Sequence, residues 1–329
     1  MSIPSLLAGR LTLPVIGAPM FIASGPELVI GQCKAGIVGS FPALNARPKE
    51  LLEEWIVRIR SELDAHRAAH PGARVAPFAV NQIAHHSNDR LEHDVEVCVR
   101  QKVPIIITSL RAPANVVRAV HAYGGIVLHD VINVRHAEKA LEEGVDGLIL
   151  VCAGAGGHAG TLSPFALLSE VRQIFQGTVC LAGAISGGAS ILAAQAMGAD
   201  LAYMGTRFIA TEEANVPPAY KQMLLESAAK DIVYSSLFSG IHANYLKPSI
   251  VAAGLDPDSL PSADKSTTDF GGGGNTAAKA WRDIWSAGHG VGTIKDAPKV
   301  GELVARMKTE YEAALAALEG KVAARVGPR

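Results

Sequence analysis

Cysteine is sparse. Cys33, Cys98, Cys152 and Cys180 are the four in 329 residues, far apart and without a C-x-x-C pair. That excludes a small disulfide scaffold and argues against structural zinc, and it fits free thiols in a reducing compartment. Neither sign of charge dominates: 30 Lys and Arg stand against 31 Asp and Glu, for a net charge of -1, so electrostatics recommend neither nucleic acid nor an anionic membrane as partner. Charged residues are 19% of the chain, below the roughly 25% of an average soluble protein, while 49% are hydrophobic. A large buried interior is expected and disorder is excluded. Unbroken apolar runs are missing too. The two uncharged stretches, 147–169 and 174–199, are interrupted by glycine; the first also holds Gly154, Gly156, Gly157, Gly160 and Pro164, too many breakers for a lipid-spanning helix. No basic leader precedes an apolar run and Arg10 interrupts the only candidate, so no signal peptide is expected and a cytoplasmic enzyme is the default.

Short apolar runs suited to buried parallel strands recur at 14–18, 37–41, 75–81, 103–109, 126–130, 147–152, 178–184 and 201–206. Amphipathic segments lie between them, at 49–66, 91–102, 114–122, 134–143, 165–175 and 189–197, several closing on a glycine placed like a helix C-cap (Gly36, Gly124, Gly144, Gly198). Eight β-then-α units in about 210 residues point to an α/β protein of the (β/α)8 TIM-barrel class. A doubly wound sheet with an appended domain usually has fewer strands. After Thr206 the repeat stops. The expected division is a barrel over 1–211, an inserted, mostly helical cap or lid over 212–284 containing Gly271 to Gly274, and a C-terminal segment over 285–329. Within the last, a helix over 299–319 should pack Val304, Met307, Tyr311, Ala314, Leu315 and Leu318 on the barrel.

Functional groups of parallel barrels gather beyond the carboxyl ends of the strands. The seventh run leads into Gly183-Ala184-Ile185-Ser186-Gly187-Gly188 and the eighth into Gly205-Thr206-Arg207. Small residues there let backbone N–H groups approach a phosphate, assisted by the following helix N-terminus; tight turns also need glycine. The sixth run ends in Ala155-Gly156-Gly157-His158-Ala159-Gly160, one histidine among residues too small to fill space. His158 is the leading catalytic candidate, because imidazole titrates near neutrality and removes protons or donates to oxyanions. His129-Asp130 forms a polar pair in the same ring, as a catalytic or a purely hydrogen-bonded pair. His85 and His86 either line the mouth or are solvated. Cys152 sits in an apolar run and reads as a small hydrophobe. Trp281 and Trp285 either flank a planar ligand or pack. There is no H-E-x-x-H and no carboxylate cluster on the strand ends, so no metal is expected.

The segments Pro14-Val-Ile-Gly-Ala-Pro-Met20, Ala155-Gly-Gly-His-Ala-Gly160, Ala182-Gly-Ala-Ile185, Gly198-Ala-Asp200 followed by Met204-Gly-Thr-Arg-Phe208, and Trp285-Ser-Ala-Gly288 resemble, in order and over nearly the whole chain, the nitronate monooxygenase family, also called 2-nitropropane dioxygenases. FMN-dependent enoyl-ACP reductases and NADH:quinone reductases share these motifs. The resemblance implies FMN across the barrel mouth, contacted by Ala18, Pro19, Met20, Asn81, His129, Ala155, Gly156 and Gly157, with its phosphate held by Gly183, Ala184, Gly205 and Thr206. It places the family histidine on His158. It also marks departures. Ala184 stands where the family has glycine, which is tolerable at negative φ, Asp130 stands where a lysine is common, and the loop 109–113 lacks a usual glycine, with Arg111 as a substitute charge.

The implied activity is oxidation of an alkyl nitronate or nitroalkane by O2. His158 would stabilise the nitro oxygens as a protonated or N–H donor, or act as base toward a neutral nitroalkane. The alternative is an NAD(P)H-dependent flavin reductase acting on a quinone or enoyl thioester; no G-x-G-x-x-G follows a strand, which weighs little in a flavin barrel. A non-catalytic phosphate-ligand binder is the third reading. Oligomeric state, a homodimer included, stays open.

Overall fold

The computed structural model describes residues 3–261 and 284–326. The Gly271 to Gly274 connection and Trp281 lie outside the described residues. Strands form at all eight apolar runs: β1 (Val15–Gly17), β2 (Gly39–Pro42), β3 (Phe78–Ile83), β4 (Ile105–Ser109), β5 (Ile126–Val131), β6 (Gly147–Val151), then the short β7 (Gly157–His158), which belongs to a second sheet, β8 (Thr178–Ala182) and β9 (Leu201–Met204). Helices α1 (Pro26–Lys34), α2 (Leu51–Ala69), α3 (Leu91–Arg100), α4 (Ala114–His121), α5 (Val134–Glu142), α6 (Pro164–Ile174) and α7 (Gly188–Ala196) connect them. The parallel ladder runs β1-β9-β8-β6-β5-β4-β3-β2, and a parallel bridge from Ile16 to Val38 joins its two ends. The chain is a (β/α)8 barrel.

Strand alternation sorts the side chains. Ile16, Val38, Ala79, Ile105, Ile107, Leu128, Ile149, Cys180 and Leu201 fill the barrel, with Leu7 of the N-terminal segment packed among them. The intervening positions, among them Val80, Ile106, Val127, Leu148, Leu150, Val179 and Leu181, face the helices. Burying such aliphatic side chains is worth about 1.5–3 kcal/mol each before entropy is counted.

Beyond β9 come α8 (Thr206–Ile209), α9 (Pro218–Glu226), a hairpin of β10 (Ile232–Ser235) and β11 (Ala243–Leu246), and α10 (Lys247–Ala252). The hairpin is a departure from the helical expectation for this region. It continues into β7, so residues 157–158 are the third strand of an antiparallel sheet, with His158 opposite Ala243. The last helix, α11 (Val300–Val326), packs Val300, Leu303, Val304 and Met307 against Leu13, Val15, Leu28 and Ile191. Tyr311 is partly buried there and hydrogen-bonds Gln195. The expected packing stripe stops at Tyr311, because the helix then runs past the barrel and leaves Leu315 and Leu318 exposed.

Candidate active site

The loop after β6 is bent by Gly154 (φ +85°) and Gly157 (φ +68°), left-handed angles that glycine adopts without penalty. Side chains from the hairpin region then hold it. Asn244 Nδ2 donates to Ala155 O (2.6 Å) and Tyr234 Oη to Ala159 O (2.8 Å). His158 Nε2 lies 3.0 Å from Ser239 Oγ, and the Ser239 hydroxyl donates its proton to Ile241 O (2.8 Å). Ser239 therefore accepts from His158, which fixes the proton on Nε2 and leaves the lone pair on Nδ1. Burial pushes the His158 pKa down from 6.5 to about 4. The imidazole is thus neutral at pH 7. Of the roles expected from sequence, this favours base over cationic donor.

Three turns meet beside that loop. Gly183 (φ +135°) and Ala184 (φ +55°) lead out of β8. A Cβ on Gly183 would lie 2.8 Å from Ala153 O, so glycine is required there. The methyl of Ala184 was acceptable at negative φ, but the angle is positive; a left-handed L-residue costs roughly 1–2 kcal/mol. Gly154 O accepts the N–H of both Ala184 (3.3 Å) and His289 (2.9 Å), and Thr206 Oγ1 accepts that of Gly288 (2.9 Å). A Cβ on Gly156 would reach Gly288 N at 2.8 Å, and one on Gly288 would reach Gly154 O at 2.5 Å. Backbone here touches backbone. Among the described residues the N–H groups of Gly205 and Thr206 have no acceptor. The N-terminus of α7, expected to help hold a phosphate, is already occupied. Glu310 Oε2 accepts Gly188 N–H (2.8 Å), and Ser190 Oγ accepts from Ser186 and Gly187 (3.1 Å each).

The segment after β1 lies against the β9 turn. Ala18 N–H donates to Met204 O (2.8 Å), and a Cβ on Gly205 would sit 3.4 Å from Met20 Sδ and 3.6 Å from Ala18 Cβ. Asn45 clamps this segment, donating to Met20 O and Ser24 O and accepting from Ile22. Nothing in the local sequence marks Asn45 for that task.

The inward phase of the strands forms the floor of the mouth: Asn81, Ser109, Asp130, Val151, Ala182 and Tyr203. Asn81 Nδ2 donates to Ser109 Oγ (2.8 Å) and to Ile107 O (3.2 Å), and Ser109 Oγ donates to Asp130 Oδ2. Burial raises the Asp130 pKa, opposed by His129 and by the Ser109 hydrogen bond. Burial and then the Asp130 charge push the Tyr203 phenol well above its ordinary value. Tyr203 Oη makes no hydrogen bond among the described residues. The opposite phase carries His129 away from the mouth, its Nδ1 2.8 Å from Thr108 Oγ1 behind the sheet. The expected His129-Asp130 pair is therefore split across the sheet, and His129 is not a mouth residue.

Other candidates fall into structural places. His85 and His86 lie ring beside ring, tilted by 40° with centroids 4.0 Å apart, in the loop after β3, with His85 bonded to Ser87; the charges of His86 and Arg111 help lower its pKa after burial. Cys152 is buried, with its thiol pushed up to about 12 by burial. Trp285 stacks on Tyr220 at 4.8 Å. Arg207 is buried and donates to Asp296 O and Oδ1 (3.0 Å each), so its charge fastens 206–209 to the C-terminal segment. Among the described residues no three His, Cys, Asp or Glu are grouped to hold a metal ion, and no helix is long and apolar enough to cross a membrane.

With this geometry in place, the relatives are informative. The family model for nitronate monooxygenase matches residues 57–310. A nitronate monooxygenase of Paraburkholderia phytofirmans is 27% identical, the match covering 91% of this chain and 92% of the relative. A (3aS,4S,5R,7aS)-5-hydroxy-7a-methyl-1-oxo-octahydro-1H-indene-4-carboxyl-CoA dehydrogenase of Rhodococcus jostii is 28% identical over 72% of this chain and 64% of its own length. Among solved structures, the nitroalkane oxidase of Streptomyces ansochromogenes superposes with a TM-score of 0.78 at 23% identity, covering 95% of this chain and 100% of that one. The clamped histidine loop, the open turn amides and the polar floor thus sit in an oxidoreductase that belongs to the nitronate monooxygenase family.

Proposed function

We propose that this enzyme oxidises alkyl nitronates or nitroalkanes with O2, using FMN held across the barrel mouth. The observation that carries the reading is the meeting of two unengaged turn amides, Gly205 and Thr206, with the His158 loop and the Asn81-Ser109 floor. The residues present fit FMN. Gly205 and Thr206 offer backbone donors to a phosphate beside the small residues Gly183 and Ala184, Ala18, Pro19 and Met20 line the opposite edge, and Gly157, next to Ala155 and Gly156, faces open space that a planar ring could use. When bound, FMN would supply two-electron chemistry toward the substrate and toward O2.

The chain's own groups would do the rest. Neutral His158, held beside the mouth by Ser239, is the imidazole placed to take the proton α to a nitro group. Tyr203, its phenol kept protonated, is the open donor on the floor for a nitro or nitronate oxygen. Asn81 orients what lies above it through Ser109. Purified protein given propionate-3-nitronate in air should consume O2 above a free-FMN control; a rate equal to that control removes the assignment. His158→Asn should slow flavin reduction by a nitroalkane while FMN stays bound.

The Rhodococcus relative, at comparable identity and named as a dehydrogenase of a carboxyl-CoA, supports the thioester arm of a second reading, an NAD(P)H-dependent flavin reductase acting on a quinone or enoyl thioester. Anaerobic bleaching of the flavin by NADH or NADPH, with none by nitronate, would select it.

A further inference from the structure

Asp130 has no task in the reaction just outlined, yet it occupies the inward phase of β5 at the floor of the mouth. Its Oδ2 accepts from Ser109, whose own oxygen accepts from Asn81, so one hydrogen-bonded row crosses β3, β4 and β5. The Leu110 N–H also donates to it. From β9, the Tyr203 phenol lies within range of its charge. Among the described residues the ionisable groups whose charges act on Asp130 are His129 on its own strand and His136 on α5, and neither is a lysine or an arginine. His129 is itself driven toward its neutral form by burial. Among the described residues the floor thus carries a carboxyl with no lysine or arginine partner, on the strand phase that faces the barrel mouth.

A carboxylate so placed opposes every new negative charge above it, because the surroundings are poorly solvated. Binding one proton removes that opposition. We propose that Asp130 is the proton store of the mouth, taking up a proton when the site gains negative charge and returning it when that charge leaves. The inference rests on the flavin reading. Two electrons from substrate and one proton convert the neutral ring to its anionic reduced form, and one further proton from solvent converts Asp130 from carboxylate to carboxyl. When O2 removes the two electrons, both protons are released. Asp130 is a positioning residue for charge and touches no reacting atom.

The test is the midpoint potential of the bound flavin against reference dyes, for the holoprotein and for Asp130→Asn, between about pH 5 and about pH 9. At the acid end both carry a neutral side chain and the two profiles should converge. At the alkaline end the variant should be easier to reduce by tenfold or more in the two-electron equilibrium, about 30 mV. In the window between, the wild-type profile should be steeper by one proton per two electrons. Ser109→Ala provides a second probe: losing a donor to the carboxylate raises its pKa, so convergence should extend to higher pH. Parallel profiles for wild type and Asp130→Asn, or an unmoved convergence in Ser109→Ala, overturn the proposal while leaving the flavin reading intact. Protein that cannot bind flavin at all overturns both.

Discussion

Replacing His158 by Gln should make stability less dependent on acid. A glutamine amide can still donate to Ser239 Oγ but does not titrate, so the variant isolates the proton linkage. In the folded protein burial holds His158 at about 4, against 6.5 unperturbed. Below pH 6.5 the unfolded chain therefore binds a proton that the folded chain refuses. Stability contributed by the neutral imidazole is complete above about 6.5 and is lost as pH falls toward about 4. At about 1.4 kcal/mol per pH unit that interval is worth roughly 3 kcal/mol, reduced to about 2 because the ring is only half-buried. Urea unfolding followed by circular dichroism between pH 4 and pH 8 measures it. The wild-type minus variant difference should be flat above pH 6.5 and should shrink by about 2 kcal/mol at the acid end. A difference unchanged by pH would mean that His158 is solvated and titrates normally, and the neutral-base role would fall with it.

Gly156→Ala should destabilise the protein by about 1–3 kcal/mol, since the new methyl meets the backbone at Gly288 and Ala287; thermal unfolding reads it, and FMN affinity should fall with it. Ala184→Gly removes the strain at φ +55° but adds chain entropy, for a net gain within about 1 kcal/mol, and flavin should bind at least as tightly. Tyr203→Phe should leave stability within about 1 kcal/mol, because the hydroxyl has no partner among the described residues, while slowing flavin reduction at least tenfold in stopped-flow measurements.

The barrel was legible because buried parallel strands are short apolar runs, and all eight survived into the fold. Helix α1 was not. Its Leu28-Val-Ile30 run hides the helical period, and Gly31, which lets α1 approach Val300 of α11, looks like a breaker. The hairpin that turns the His158 loop into a strand was hidden for another reason: Ala243 pairs with His158 across 85 residues of sequence, and no local pattern carries that register. For the site, His158 and the small-residue turns stood out by composition. Assigning His129 to the mouth ignored the strand's period of two, which puts Ile126, Leu128 and Asp130 on one side. The same alternation from Leu201 would have found Tyr203. Asn45, Ser239 and Glu310 had no signal, because their partners are distant backbone and side-chain atoms.

The most direct test of the account is the visible spectrum of the purified protein, before and after equilibration with FMN and removal of excess. The account requires the absorption of bound oxidised flavin, one FMN per chain, lost or weakened when Gly205 is replaced by Asp to put a carboxylate against the phosphate. A colourless chain that retains no FMN after equilibration would contradict it.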